Sequence, residues 1–327
     1  MRRALTLAAT GLLSLTAWGT DPPAAPADED RAPAPQQTIP LPEVTVAAPE
    51  PRYVAPTLRD RIGRIWAPVL INGQGPFRLV LDTGASRSAV TARVAESLGI
   101  PVEESGRVTM HGVTGSALAA TIRADRLEFG DLLIERPQLL IVEDAFGGAE
   151  GVLATEGLKD KRITIEFRRD RIEIARSRRQ PAPAGFATIP VQLARARVIT
   201  SDARVGPLTV KAIIDTGAQQ TIGNLALREQ LLAMRKRAAQ EREHDVVGLT
   251  GDIQSGPNVS VPSIGLGEIL INNATITFVD LHIFRHWGYV DEPVLMIGMD
   301  VLGLLDTLII DYRRRELQVL TRRRASL

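Results

Sequence analysis

The stretch FRLVLDTGASRSAV, residues 77–90, runs an apolar strand pattern straight into Asp82-Thr83-Gly84. Side chains alternate along a strand, so Phe77, Leu79 and Leu81 share one face and Arg78, Val80 and Asp82 the other. The strand therefore delivers one carboxylate into a glycine turn. A second stretch, VKAIIDTGAQQTI (210–222), repeats the pattern. There Val210, Ala212 and Ile214 oppose Lys211, Ile213 and Asp215, with the same phase and again a cation four residues before the aspartate. Asp-Thr-Gly alone is ordinary turn chemistry. Two copies with one phase and the same following alanine, Ala85 and Ala218, point to a duplicated unit.

Working outward, the duplication extends over most of the chain. TARVAESLGI, ending at Gly99, answers a helical pattern over 225–243 with Asn224 as N-cap. Glycine-rich hairpin tips follow, HGVTG (111–115) and VVGLTG (246–251). LEFGDLLIERPQLLIV then answers IGLGEILINNATITFV, and RITIEFRRDRIEI (162–174) answers LIIDYRRRELQV (308–319). The expected fold class is mainly β: two homologous β-barrel-like lobes in one chain, at 58–178 and 185–327, separated by the Pro/Ala-rich interruption within 176–190.

Ahead of the lobes, Arg2 and Arg3 precede an apolar run too short to span a bilayer comfortably, with Ala17 and Gly19 as small residues before a cut. Residues 1–19 read as a signal peptide, and 20–57 as a Pro/Ala-rich flexible linker. The expected location is the periplasm or the secreted fraction, with membrane attachment only through an uncleaved signal.

Composition narrows the chemistry. Of 327 residues 44% are hydrophobic and 24% charged, and the formal net charge is +1, which argues against nucleic-acid or general membrane-surface binding. No cysteine is present, so thiolate nucleophiles and Cys-bound zinc are excluded. His282 and His286 stand at i, i+4, but HIFRHWGY reads as strand then loop, and no glutamate follows the first histidine. No metal and no cofactor are expected. His111 reads as exposed, while Phe284 and Trp287 line or underlie a cleft. The arginine clusters EFRRDR and DYRRRE read as solvated hairpin turns.

Asp82-Thr83-Gly84-Ala85, Asp215-Thr216-Gly217-Ala218, the tips Gly112–Gly115 and Gly248–Gly251, and MIGMDVLG (296–303) together resemble the retropepsin-like aspartic proteases of the pepsin superfamily. The resemblance covers most of residues 60–325. Met296-Ile297-Gly298 is similar to the family's two-apolar-then-glycine element. In the first half Val152-Leu153 is followed by Ala154 instead.

The resemblance implies a bilobal acid-protease fold and an aspartic endopeptidase acting on a peptide or protein. Asp82 and Asp215 would be its catalytic dyad. Thr83, Gly84, Ala85, Thr216, Gly217 and Ala218 would support the active-site loops. Gly112, Thr114, Gly115, Gly248, Thr250 and Gly251 would form flaps over the substrate. Two lobes in one chain imply a functional monomer. Family sites usually carry a hydroxyl residue after Asp-Thr-Gly; alanine in both copies predicts a mildly acidic optimum. The alternative is an exported peptide-binding pseudoenzyme with the same fold and no turnover.

Overall fold

The computed structural model describes residues 54–56, 63–143, 148–194, 198–234, 242–247 and 253–321, all within one unit spanning 49–327. The expected signal peptide, most of the linker and the second glycine tip with Gly248, Thr250 and Gly251 lie outside the described residues.

The chain is mainly β, in three sheets of nine, eight and six strands. Each lobe has the same centre. In the first, Gly151–Leu153 lies parallel to Gln74–Leu81 on one side and antiparallel to Ala89–Thr91 on the other. In the second, Val294–Ile297 lies parallel to Leu208–Ile214 and antiparallel to Ile222–Gly223. The aspartate-bearing strand thus ends beside a short strand from far along the chain. The backbone N–H groups of Asp82 and Asp215 donate to the carbonyls of Leu153 and Ile297, at 2.9 and 3.0 Å.

Both faces of the aspartate strands are buried at their ends, over Leu79–Leu81 and Ala212–Ile214, where the apolar run is continuous. Leu79, Leu81 and Ile214 belong to the main core, which runs through both lobes. Val80 and Ile213, on the aspartate face, pack into a separate smaller cluster in each lobe. Fully burying one such side chain stabilises by about 1.5–3 kcal/mol.

The six-stranded sheet joins the lobes. Its middle pair is Lys161–Glu166 from the first half against Leu305–Asp311 from the second, with Ile163 opposite Ile310. The two arginine-rich hairpins of the duplicated pattern are therefore neighbours in one sheet. On the sheet's buried side, Arg162 bonds Asp311 Oδ2 at 3.2 Å and Gln318 Oε1 at 2.6 Å. Ser177 Oγ donates to the same carboxylate.

Three local expectations are corrected. The last part of the expected flexible linker, Val54–Pro56, is an edge strand paired with Arg171–Arg176. An edge tolerates a proline, which lacks only a donor. The helix expected over 225–243 is Leu225–Met234, capped at its start by Asn224 Oδ1, which accepts from Leu227 N at 3.0 Å. Arg242–Val247, which takes the end of that span, is a strand against Ile253–Leu266. HIFRHW is a helix, His282–Trp287, and not a strand. It buries Ile283, Phe284 and Trp287 on one side, and Gly288 stops it in the left-handed conformation at φ 82°.

Candidate active site

Asp82 and Asp215 each leave their strand into a loop of the same shape. Asp82 Oδ1 accepts from Gly84 N at 2.8 Å and Ala85 N at 3.0 Å. Asp215 Oδ1 accepts from Gly217 N at 2.8 Å and Ala218 N at 3.1 Å. One oxygen of each carboxyl is thereby fixed by backbone.

The threonines join the loops across the lobes. Thr83 N donates to Thr216 Oγ1 at 3.1 Å, and Thr216 N to Thr83 Oγ1 at 3.0 Å. Each hydroxyl then donates to the opposite aspartate strand: Thr83 Oγ1 to Ile214 O and Thr216 Oγ1 to Leu81 O, both at 2.7 Å. Both threonines are fully buried. The glycines allow the close approach. A Cβ on Gly84 would lie 2.5 Å from Asp215 Oδ2, and one on Gly217 would run into the Asp82 carboxyl.

Each carboxyl lies against the glycine of the opposite loop, so the two acids are buried neighbours. Burial raises Asp82 above the usual carboxylate range, against the backbone donors and the positive charge of Arg64. Burial and then the charge of Asp82 raise Asp215 well above that range. Arg64, itself buried, thus favours the ionised form of Asp82. Both shifts favour retention of a proton at the site, and that proton belongs to the pair and not to either carboxyl alone.

A further layer, which the reading of the sequence missed, props each loop. Six positions after each aspartate stands a hydroxyl, Ser88 after Asp82 and Thr221 after Asp215. Each meets an acid on the crossing segment. Ser88 N donates to Glu156 Oε1 at 2.9 Å, and Thr221 donates to Asp300 through N at 3.0 Å and Oγ1 at 2.7 Å. The hydroxyls also accept: Ser88 Oγ from Ala154 N at 3.1 Å, and Thr221 Oγ1 from Gly298 N at 3.2 Å. Ala154 therefore takes up the place of Gly298 with its backbone bond intact, fully buried. A methyl on Gly298 itself would strike the Gln220 carbonyl. The matched spacing of hydroxyl and acid in both halves was the available signal.

Gly112 and Gly115 close the first hairpin tip, with Gly112 N donating to Gly115 O at 2.8 Å. The tip reaches the second lobe. Ile283 N donates to Val113 O at 3.3 Å, Gln254 Nε2 donates to Thr114 O at 3.1 Å, and Val113 packs on the Ile283, Phe284 and Trp287 cluster. Beneath lies a cavity of about 220 Å³ lined by Ala85, Val108, Met110, Leu140, Val152 and Trp287 among others. A larger hollow of about 540 Å³ among Lys159, Arg179, Tyr312 and Arg315 has neither aspartate in its wall. Neither aspartate lines the smaller cavity either; that cavity borders the Asp82 loop through Gly84, Ala85, Ser86 and Arg87.

His111 is not merely exposed, as the sequence suggested. Its Nδ1 lies 3.1 Å from Nε2 of His282, and its ring stacks on His286 at 3.9 Å between centroids.

No curated protein matches the chain. Residues 67–157, which contain Asp82, the first hairpin tip and the segment crossing beneath the Asp82 loop, match the family model described as aspartyl protease.

Proposed function

We propose that the protein is a single-chain aspartic endopeptidase with Asp82 and Asp215 as its dyad. The supporting observation is the reciprocal threonine bond, which fixes two desolvated carboxyls against each other at the lobe boundary. Two carboxyls in one buried site cannot both ionise, so a proton is retained between them. The ionised Asp82 takes a proton from a water held between the carboxyls. Asp215 gives its proton to the oxygen of the scissile carbonyl as the water oxygen bonds to carbon, forming a gem-diol. Proton return to the amide nitrogen breaks the C–N bond.

The cleft offers an apolar floor for a substrate side chain beside the loop that follows Asp82, and the first flap covers it. Because each lobe supplies one carboxyl, a monomer suffices. Export to the periplasm or beyond belongs to the same proposal, carried by the N-terminal pattern.

The test is peptide-library cleavage between pH 3 and 8 by the wild type, Asp82→Asn and Asp215→Asn. Removal of either carboxyl should reduce the rate by at least about 10³-fold, the scale on which acid–base partners act. Cleavage by both variants at the wild-type rate overturns the mechanism. A folded wild type that cleaves nothing overturns the activity and leaves a peptide-binding cleft.

A further inference from the structure

Three of the chain's four histidines meet above the cleft, from two lobes. His111 ends the outgoing strand of the first-lobe flap; His282 and His286 lie on one side of the helix His282–Trp287. The rings of His111 and His282 are nearly coplanar, 8° apart, with centroids 5.4 Å apart and facing nitrogens at 3.1 Å. That is an in-plane N–H···N bond. One nitrogen must offer its lone pair, so the bond survives one proton on the pair and not two. The facing nitrogens do not converge on a common point, as ligands of one ion would. His286 lies flat against His111, 16° from parallel, so a charge on both rings is repulsive at 3.9 Å.

We propose that His111, His282 and His286 form a latch that holds the first flap on the second lobe and releases it when two of the three rings are protonated. The latch works beside the bonds from Ile283 N to Val113 O and from Gln254 Nε2 to Thr114 O, which alone carry no dependence on histidine charge.

The charged groups on the neighbouring elements are Arg87 on the Asp82 loop, Arg107 on the flap strand, the Arg285–Asp280 pair on the helix side, and His244 and Asp245 on the strand Arg242–Val247, whose Val246 packs with Ile283. His244 Nδ1 is held by Gln220 and Asp245 by Ser255. Among the described residues no carboxylate pairs with the three rings, so none neutralises a second proton there. In keeping with this, partial desolvation and the neighbouring His111 and His282 hold His286 below the usual histidine range. The sign follows. Closure is at full strength above the ordinary histidine value of about 6.5 and weakens as pH falls through the lowered one.

The device is independent of whether the cleft hydrolyses peptides, and its test is made without substrate. Hydrogen exchange of the flap amides is followed from pH 8 to 4.5 in the full protein carrying Asp82→Asn and Asp215→Asn, which removes the dyad's own titration. After division by intrinsic rates, exchange at Gly112 and Ile283 should rise on the order of fivefold below pH 6, the effect of about one charge repulsion at 4 Å in water. In His111→Phe, which keeps a ring to stack on His286, the rise should vanish. His282→Gln with His286→Gln gives a second route if that variant does not fold, and should vanish likewise. An unchanged rise in either folded variant, or no rise with the histidines intact, overturns the latch. Failure of cleavage in the wild type would leave it standing.

Discussion

Thr83 and Thr216 are each other's hydrogen-bond partners twice over, amide to hydroxyl at 3.1 Å and 3.0 Å, across 133 residues of chain. The same hydroxyls also donate to the opposite aspartate strand. Removing one hydroxyl therefore orphans a buried N–H and a buried carbonyl in the other lobe. Thr216→Val should cost about 2–6 kcal/mol, at roughly 1–3 kcal/mol for each group left unsatisfied. The double variant Thr83→Val/Thr216→Val should cost about the sum of the singles, because valine keeps both amides and each hydroxyl serves its own pair of backbone groups in the other lobe. Urea unfolding of the four proteins gives the cycle. A cost below about 1 kcal/mol for either single variant would show that the lobes are not joined through this pair.

The glycines after each threonine lead to a different outcome. Gly217→Ala places a methyl into the Asp82 carboxyl, and Gly84→Ala does the same to Asp215. Either should reduce peptide cleavage by at least about 10²-fold, since small misplacement of reacting groups is costly. Gly206→Ala is the contrast. That glycine has φ 58° with open space around it, so alanine should cost about 1 kcal/mol in stability and leave the rate unchanged. Equal rates for Gly217→Ala and wild type would mean that the carboxyls are not held where the loops place them.

The dyad's burial has a consequence for stability. Asp215 is pushed well above its ordinary range chiefly by desolvation, then by the charge of Asp82. An acid raised on folding contributes stability that is full below its unfolded pKa and is lost as pH rises through the folded one. At neutral pH the dyad thus opposes folding. Asp215→Asn keeps an oxygen for Gly217 N and Ala218 N and removes the charge. Its Tm should exceed that of the wild type at pH 7.5, with the gap closing towards pH 4. A lower Tm at pH 7.5 would contradict the desolvated dyad. The raised values of both groups also predict a peptide-cleavage optimum in mild acid, since the site then keeps its proton at higher pH. Arg64→Met should move the acidic limb upward, because Arg64 favours ionised Asp82.

Much of this site is visible in the chain. The alternation that sets Asp82 apart from Leu79 and Leu81 is the alternation that sorts Val80 into one cluster and the leucines into another. Asn224 and Gly99 mark helix ends by side-chain and backbone chemistry that is local. What stayed hidden depends on distant partners. The charged run Arg242–Val247 has helical character, yet pairing from Arg242 opposite Asn258 to Val247 opposite Ile253 holds it as a strand. His282–Trp287 spans six residues, too few for a helical period to show, and only Gly288 hinted at a stop. His111 meets His282 across 171 positions, which no local pattern encodes. Similarly, the two arginine-rich hairpins look like solvated turns one at a time; their pairing into one sheet buries Arg162 and Asp311.

That buried pair gives the last prediction. Arg162 donates to Asp311 Oδ2 and Gln318 Oε1, while Asp311 also accepts from Ser177 Oγ and from the backbone of Arg313 and Arg314. Gln318 passes the chain on to Glu316, which Arg314 Nε meets at 2.5 Å. Taking away the cation leaves a fully buried carboxylate with neutral donors only. Arg162→Met should therefore cost about 3–5 kcal/mol at pH 7. Adding Asp311→Asn, which discharges the stranded acid and keeps an oxygen for the two backbone donors, should recover part of that loss. The pair thus behaves as a lock on the sheet that joins the lobes, and its strength lies in the penalty for breaking one side. Urea midpoints of the single and double variants decide the matter. A double variant less stable than Arg162→Met alone would show that Asp311 does its work through its charge and not through the bonds it accepts.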